Sequence, residues 1–376
     1  MARRLVHGNA VRHRDLAVMA AEQYSGPPAR VAGEGEISTA APRPPLPRSS
    51  RFAGIIGDMG NTNEPPYDVL VVGAAGVDTI VRVPRLEVPD ADLLHVPPIR
   101  DYVAHTGTGA ALGFHALGLR THFLDFLGED LQGDLIRRRF TSAGLGFDVL
   151  PAPNGTPRSV NLVDEAGRRF SFYDGRHPAD LLLPPEFVGP HLDRARHVHV
   201  CRSGFNRELF GELERRGLPS STDLHAWDGV NPDSHPWAFR TDYVFLSAAG
   251  LRGRIEETLR LILERGKARL AVATDGERGC HLLSREGDGA VQHFPAVTPA
   301  APVVDSNGAG DAFVTAFLYT LFAGGGLGEC ARAGTVSGAF ACTQVGTHER
   351  QMTAAELAAE LAGAGGGDGA AAVSPA

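Results

Sequence analysis

The sequence predicts an α/β fold in which a central, mostly parallel sheet is flanked by helices, and three observations support this. Asp68–Val72 is short and, after its first residue, wholly apolar, as expected for a strand inside a parallel sheet. From His197 onward, strand-like and helix-like segments alternate at α/β spacing. Near the other end, Ala309–Phe322 has the apolar periodicity of a helix and is followed by three glycines.

Composition limits the classes of function that are open to this chain. Its 376 residues can bury one large core or two smaller ones, and its net charge of −8 disfavours nucleic-acid or acidic-membrane partners. The four cysteines form no C-x-x-C pair, which fits a reduced cytoplasm and disfavours a zinc site or a disulfide framework. No apolar run approaches the roughly 18 residues that a membrane span needs. We therefore expect a cytoplasmic protein that acts on small molecules.

The two ends of the chain do not resemble packed structure. Residues 1–66 are rich in proline and arginine and poor in aromatic residues, which predicts a disordered extension. Two alternatives stay open: a transit-like targeting role, and translation that starts at Met59. At the other end, residues 351–376 are expected to form a helix and a Gly/Ala-rich tail.

The segment with the clearest chemical signal precedes the helix at Ala309. Gly308 and Gly310 lie where the first backbone N–H groups of a helix have no partner, and such a terminus binds anions. Glycine also lets a phosphate approach the backbone closely. Asp311 follows, and a carboxylate beside an anion hole suits phosphoryl transfer to a hydroxyl, because it can accept the proton. The alternative is that Asp311 only stabilises the first helical turn.

The stretch Asp305–Asp311 closely resembles the D-T-x-G-A-G-D signature of the ribokinase-like (PfkB-type) carbohydrate and nucleoside kinases, with five identities in seven positions. The resemblance covers roughly residues 68–347. It implies that Asp311 is the catalytic base and that the backbone of Gly308, Ala309 and Gly310 forms the anion hole. It also implies ATP and Mg²⁺ as cofactors.

The same resemblance implies a ribokinase-like kinase domain over residues 67–350 with a small β-sheet lid, formed by about 79–103 and 157–175. Asp78 matches the family's aspartate that follows the first strand and binds sugar hydroxyls. The alternative is an ordinary aspartate in a turn at the end of a strand. Because the lid edge often pairs in this family, a homodimer through the lid is also implied.

Other matches to the family are partial. Gly107 and Gly109 fall in the G-G-x-x-x-N segment that contacts the substrate in the family, but Ala104 and His105 replace its paired glycines, and Gly109 replaces its asparagine. The resemblance assigns ATP-binding roles to four residues: Thr274, Gly276, Gly279 and Asn307.

The largest departure from the family pattern is at Gly250, where the family's N-x-x-E motif has a glutamate that helps to organise magnesium and phosphate. This departure predicts an enzyme that needs more free magnesium, unless another acid substitutes. The candidates are Asp223, Asp228 and Asp275.

Three histidines, His191, His197 and His199, are candidate metal ligands. Alternation places His197 and His199 on one face of a strand with no carboxylate nearby, and His191 is separate in sequence. We therefore predict no protein-bound metal site.

Taken with the resemblance, the sequence predicts an ATP-dependent kinase that phosphorylates a hydroxyl of a sugar or sugar-like small molecule. Two alternatives share its fold. One is a nucleoside kinase; the other is a non-catalytic binding protein, which the departures from the family pattern at Gly109 and Gly250 suggest. An NAD-binding oxidoreductase is disfavoured, because Gly73–Asp78 lacks the glycine fingerprint and no acid follows at the required spacing.

Overall fold

Strands and helices alternate through the part of the chain that the structure, a computed structural model, describes: residues 67–88, 90–165 and 167–363. The strands are β1 (Val69–Val72), β2 (Gly76–Arg82), β3 (Arg100–Ala104), β4 (Thr121–Leu127), β5 (Gly146–Pro151), β6 (Arg158–Val163), β7 (Arg169–Asp174), β8 (Val198–Val200), β9 (Ser220–Asp223), β10 (Tyr243–Ser247), β11 (Leu270–Thr274), β12 (Cys280–Ser284) and β13 (Gln292–Phe294). The helices are α1 (Thr106–Ala116), α2 (Leu131–Ala143), α3 (Pro185–Leu192), α4 (Leu209–Arg216), α5 (His235–Phe239), α6 (Ile255–Arg265), α7 (Ala309–Phe322), α8 (Leu327–Cys342) and α9 (Ala354–Gly363).

The larger sheet has the order β13-β12-β11-β10-β9-β8-β1-β4-β5. Its strands are parallel from β5 to β11, and β12 and β13 are antiparallel additions at one edge. The predicted α/β class with a mostly parallel sheet is confirmed. In such a sheet, functional residues gather where the parallel strands end at their carboxyl edge.

Two apolar cores cover the two faces of this sheet. Leu70 and Val72 of β1 belong to the core that packs against α3, α4, α5 and α6. Val69 and Val71 belong to the other, which packs against α1, α2, α7 and α8. A fully buried strand must be apolar on both faces, which explains why β1 shows no alternation.

The smaller sheet has four strands in the order β3-β2-β6-β7. β2 pairs with β3 antiparallel and with β6 parallel, and β7 is an edge strand on which every residue is exposed. This sheet is the element that the sequence predicts as a lid.

One predicted position differs from the structure. Asp78 lies inside β2 and not in a loop, because the chain turns at residues 73–75 and pairs again from Gly76.

The predictions for the two ends of the chain have different outcomes. The expected disorder of residues 1–66, the start at Met59 and the tail beyond 363 lie outside the described residues. The expected C-terminal helix is α9, and Leu357 of this helix is buried beside Met352, Ala316 and Val336. None of the helices described by the structure is long and apolar enough to cross a membrane.

Candidate active site

The signature segment forms the amino terminus of α7. Gly308 is the residue before the helix and has φ +76°, a left-handed conformation that favours glycine. A Cβ at Gly308 would lie 2.3 Å from the carbonyl oxygen of Thr347 and 2.8 Å from His348 Nδ1. Ala309 N–H reaches only a long hydrogen bond of 3.4 Å to the Ser306 carbonyl. The terminus thus keeps the features of an anion site.

Asp311 lies in the first turn of α7 in a buried environment. His348 Nε2 is 3.6 Å from Asp311 Oδ2, and the two side chains are 2% and 12% exposed. Asp223 is close by, since its Oδ2 would lie 3.8 Å from a Cβ at Gly310. Burial, together with the charge of Asp223, raises the pKa of Asp311 well above its usual value.

His348 is a site residue that the sequence analysis missed. It follows α8, and its buried Nδ1 has no hydrogen-bond partner among the described residues. Burial lowers its pKa to about 4, although the charge of Asp78 acts in the opposite direction. A buried histidine between two acids is a polar group that the family pattern did not mark. The only signal in the sequence was its place directly after the Gly346–Thr347 end of a small-residue segment.

Asp78 lies on β2 of the small sheet and is also buried. His105 Nε2 is 3.4 Å from Asp78 Oδ1. Burial raises the pKa of Asp78, but hydrogen bonds from His105, Ser159 and Asn161, together with the charge of His105, outweigh that effect and hold the pKa below its usual value. Asp78 is therefore an ionised acceptor whose neighbours hold it in place.

The two glycines predicted to bind substrate have different surroundings. A Cβ at Gly107 would lie 2.1 Å from the backbone nitrogen of Ala74, and Gly107 N–H donates to the Ala74 carbonyl at 2.8 Å. Gly107 therefore allows α1 to pack against the turn after β1. A Cβ at Gly109 would lie 2.7 Å from Asp311 Oδ2 and 2.4 Å from His348 Cε1, so Gly109 borders the predicted base.

A second buried acid supports the turn after β1. Both oxygens of Asp125, on β4, accept backbone hydrogen bonds, from Ala75 at 2.6 Å and from Phe126 at 2.8 Å. Burial raises the pKa of Asp125 to about 7, although these hydrogen bonds act in the opposite direction. Its side chain is fully buried, so its role is to hold the turn beside Gly107.

The small sheet contacts the signature segment directly. Arg169, on β7, donates to the side-chain oxygen of Asn307, and Arg82, on β2, lies 3.4 Å from Asp305 Oδ2. Asn307, which the family pattern assigns to ATP, is thus engaged by the lid in this structure. The two contacts hold the lid strands over the amino terminus of α7.

The other residues assigned to ATP form the turn between β11 and β12. Thr274 pairs in register with Ser247 of β10, so both lie at the carboxyl edge of the sheet. Gly276 has φ +57° and open space where a side chain would be. Gly279 instead packs against β13, since a Cβ there would lie 2.0 Å from the Phe294 carbonyl oxygen. The turn is therefore open at Gly276 and closed at Gly279.

The departure at Gly250 has a steric cause. A Cβ at Gly250 would lie 2.3 Å from the carbonyl oxygen of Ala226 and 2.8 Å from that of Trp227. A glutamate could not occupy this position unless the backbone after β9 moved. The family's acid is therefore excluded by close backbone packing.

The three acids considered as replacements are placed differently. Asp228 caps the backbone N–H groups of Val230 and Asn231, and Asp275 forms an ion pair of 2.6 Å with Arg278. Asp223 ends β9 beside the amino terminus of α7 and is the one whose charge reaches Asp311.

His197, just before β8, and His199, within it, have a structural role. His197 Nε2 and His199 Nδ1 lie 2.7 and 2.9 Å from the hydroxyl of Ser221 on β9. Burial lowers their pKa values to about 3 and about 4, so both rings are neutral at pH 7. His191 lies elsewhere, on α3.

A cavity of about 410 Å³ opens beside Asp223. Its lining residues are Arg202, Leu224, His225, Ala226, Trp227, Asp228, Asn231 and Ser234. Leu224 and His225 directly follow Asp223, so the cavity opens beyond the carboxyl end of β9.

Comparison with known proteins places this geometry in context. The sequence profile of the pfkB family carbohydrate kinases matches residues 241–354. Acarbose 7(IV)-phosphotransferase of Actinoplanes sp. is 47% identical over 291 residues, which are 77% of this chain and 97% of that protein. Ribokinase of Arabidopsis thaliana is 24% identical, over 82% of this chain and 88% of that protein.

Solved structures share the fold of this chain. The microbiome-derived acarbose kinase Mak1 superposes with a TM-score of 0.74 at 42% identity, covering 79% of this chain and 99% of that one. Arabidopsis thaliana ribokinase complexed with ribose and ATP superposes with a TM-score of 0.67 at 19% identity, over 79% and 99% of the two chains.

Proposed function

The chain belongs to the PfkB family of carbohydrate kinases, and from that premise we propose that its acceptor is acarbose or a similar molecule of several ring units. It is an ATP-dependent sugar kinase, so the predicted phosphotransferase activity and the ribokinase-like fold are confirmed. The observation that carries the proposed acceptor is the 47% identity to a protein named for acarbose, over 97% of that protein's length.

The shape of the site supports a large acceptor. The cavity of about 410 Å³ has a volume in the range of small-molecule sites, about 300–1,000 Å³. Arg202 and His225 are among its lining residues and offer polar groups to sugar hydroxyls. Gly109 stands in place of the asparagine of the family's substrate segment and packs directly against Asp311 and His348.

In the proposed reaction, a hydroxyl oxygen of the acceptor attacks the γ-phosphorus of ATP. The O–P bond to the acceptor forms, the bond to ADP breaks, and the hydroxyl proton passes to Asp311. The N–H groups of Gly308, Ala309 and Gly310 hold the charge of the transferring phosphoryl group, because the start of α7 leaves them outside the helical hydrogen-bond pattern. The raised pKa of Asp311 makes it a better base near neutral pH.

Asp78 has the complementary role. Its pKa is held low, so it stays ionised and accepts hydrogen bonds from sugar hydroxyls. Both glycines contribute through close packing, Gly109 against Asp311 and Gly107 against the turn after β1. On the nucleotide side, we assign Thr274, Gly276, Gly279 and Asn307 to ATP.

Magnesium fits the same site. The charge of Asp223 acts on the buried Asp311, and a pair of neighbouring acids is more stable when a cation lies near. When bound with ATP, Mg²⁺ supplies neutralisation of charge on the β- and γ-phosphates. Asp223 is the acid that would hold it in the absence of a glutamate at position 250.

The test is ADP release from the purified chain with ATP, Mg²⁺ and a panel of acceptors: acarbose, maltotetraose, glucose, ribose, fructose and adenosine. We expect the highest kcat/KM with acarbose. A preference for adenosine would establish the nucleoside kinase alternative, and a preference for ribose or fructose would contradict the multi-ring acceptor. Binding of acarbose without ADP release would favour the non-catalytic interpretation.

We also propose that two copies pair through the lid. β7 is an edge strand, and Phe170 and Phe172 on one of its faces are 52% and 58% exposed. A second copy would cover them, since an exposed edge strand pairs readily. Light scattering should find a dimer that Phe172→Ser weakens, and a wild-type monomer would contradict the pairing. The cytoplasmic location remains a prediction from composition.

A further inference from the structure

Two histidines and an aspartate meet at the β5 edge of the large sheet, away from the site described above. His122 lies near the start of β4, Asp148 lies on the neighbouring β5, and His191 is in the last turn of α3. One ligand atom from each residue can be chosen so that all three lie within 4.8 Å of one another. Among the described residues, these three form the one group of histidine, cysteine and acidic side chains that could hold a metal ion.

The distances in this cluster suit a small divalent cation. His122 Nε2 is 2.8 Å from Asp148 Oδ2, and His191 Nε2 is 3.7 Å from the same oxygen. Zinc bonds of about 2.0–2.2 Å in a tetrahedral arrangement place neighbouring ligand atoms about 3.3–3.6 Å apart. One observed separation, 2.8 Å, is shorter than that range and the other, 3.7 Å, is slightly longer. Small side-chain rotations would therefore allow the three ligand atoms to bind one ion.

Aromatic stacking holds the two imidazoles in place. The ring of His122 lies 5.1 Å from that of His191 and 4.6 Å from that of Tyr67, and both pairs are nearly parallel. The Tyr67 hydroxyl is 3.5 Å from His191 Nδ1. An interaction with the second ring nitrogen is typical of metal-binding histidines, because it fixes the orientation of the ring.

We propose that His122, Asp148 and His191 form a zinc site that ties α3 to the β4–β5 edge of the sheet. Two imidazoles and one carboxylate are ligands that zinc accepts, and water would take the fourth position. The Asp148 side chain is 54% exposed whereas the histidine side chains are 13% and 15% exposed, so the ion has an entry path on the carboxylate side.

One charge opposes the ion. The guanidinium of Arg194 lies 4.6 Å from the centre of the Tyr67 ring, and its positive charge disfavours a divalent cation nearby. With three protein ligands and this charge, we expect weaker binding than in a closed four-ligand site. The site lies towards the amino end of β4, whereas Asp125 and the Gly107 turn lie towards the carboxyl end. Zinc here would therefore stabilise the fold without taking part in phosphoryl transfer.

The experiment uses the full chain without an affinity tag, since a polyhistidine tag would itself bind zinc. Titration calorimetry with ZnCl₂ should show saturable binding to one site that depends on these residues, and the melting temperature should rise with zinc concentration. His191→Gln and Asp148→Asn should each weaken this binding at least tenfold, because even indirect partners of a metal ligand cost about 10–100-fold.

A second histidine–aspartate group provides the matched control. His281 Nε2 lies 3.6 Å from Asp275 and its ring is 4.8 Å from that of His293, yet the ligand atoms of these three residues do not all lie within 4.8 Å of one another. His281→Gln should leave zinc binding unchanged. Because Asp148 is exposed, Asp148→Asn keeps the test valid if His191→Gln does not fold.

Two results would overturn the proposal. One is the absence of zinc binding by the wild-type chain; the other is binding that Asp148→Asn leaves unchanged while His281→Gln weakens it. Either result would show that the cluster serves only to pack α3 against the sheet.

Discussion

Two buried aspartates of the candidate active site each lie near a histidine, yet their environments differ. His105 Nε2 is 3.4 Å from Asp78, and His348 Nε2 is 3.6 Å from Asp311. Asp78 has three hydrogen-bond donors around it, and its pKa is lowered despite burial. Burial and the charge of Asp223 both disfavour the ionised form of Asp311, so its pKa is raised.

The difference teaches that surroundings, and not residue type, separate the two roles. A carboxylate whose neighbouring donors favour its charged form stays ionised and serves as an acceptor, whereas one without such donors is a stronger base. When environments push two carboxyl pKa values apart, their roles in acid–base chemistry can be assigned. Four substitutions test this assignment, taken here from the largest expected effect to the smallest.

Asp311→Asn should lower kcat by about 10²–10⁴-fold, the usual contribution of a general base. ATP affinity should change little, because the backbone N–H groups of α7 remain. The measurements are ADP release at saturating substrates and ATP binding by calorimetry. Near-normal turnover would mean that Asp311 only stabilises the first turn of the helix.

Asp78→Asn should act on the acceptor and not on ATP. The loss of hydrogen bonds to an ionised group costs about 1.5–3 kcal/mol, which corresponds to roughly a 10–150-fold weaker interaction with the sugar. The KM for the acceptor should therefore rise while the KM for ATP stays unchanged. Equal loss for both substrates would point to damage to β2 instead.

Gly109→Ala should displace the side chain of Asp311, the predicted base, while its carboxylate is kept. The new methyl would lie 2.7 Å from Asp311 Oδ2, and overpacking of this kind costs about 1–3 kcal/mol. We expect kcat to fall by about tenfold or more, with the fold retained. Gly107→Ala is the matched control, because its methyl would meet backbone atoms at 2.1 Å and should lower the melting temperature. If both variants lost only stability, Gly109 would have no part in the site.

Asp223→Asn should shift the pH dependence of kcat/KM. Asp311 must be ionised to accept a proton, so activity falls as the pH drops through its raised pKa. Removal of the Asp223 charge takes away one of the two causes of that raised pKa, although burial remains. The acid limb should therefore move to lower pH. A limb that stays in place would mean that Asp311 does not set it.

Much of this site could be predicted from the sequence because its signals are local. The glycine-rich turn, the acid and the following helix occupy consecutive residues from Asp305 to Phe322, and one helix terminus positions them all. The sheet strands were likewise recognisable as short apolar runs. The predictions for Asp78 were less complete, because its strand depends on pairing with β3 and β6.

The sequence by itself determined the fold class, the location of the anion site at the start of α7 and the identity of the candidate base. Each of these depends on residues that are close together in the chain. Only the tertiary structure decided that His348 and Asp223 flank Asp311, and that backbone packing excludes an acid at position 250. It alone brought His122, Asp148 and His191 together. Such contacts join segments tens to hundreds of residues apart, and chain folding sets their distances, which no local pattern records.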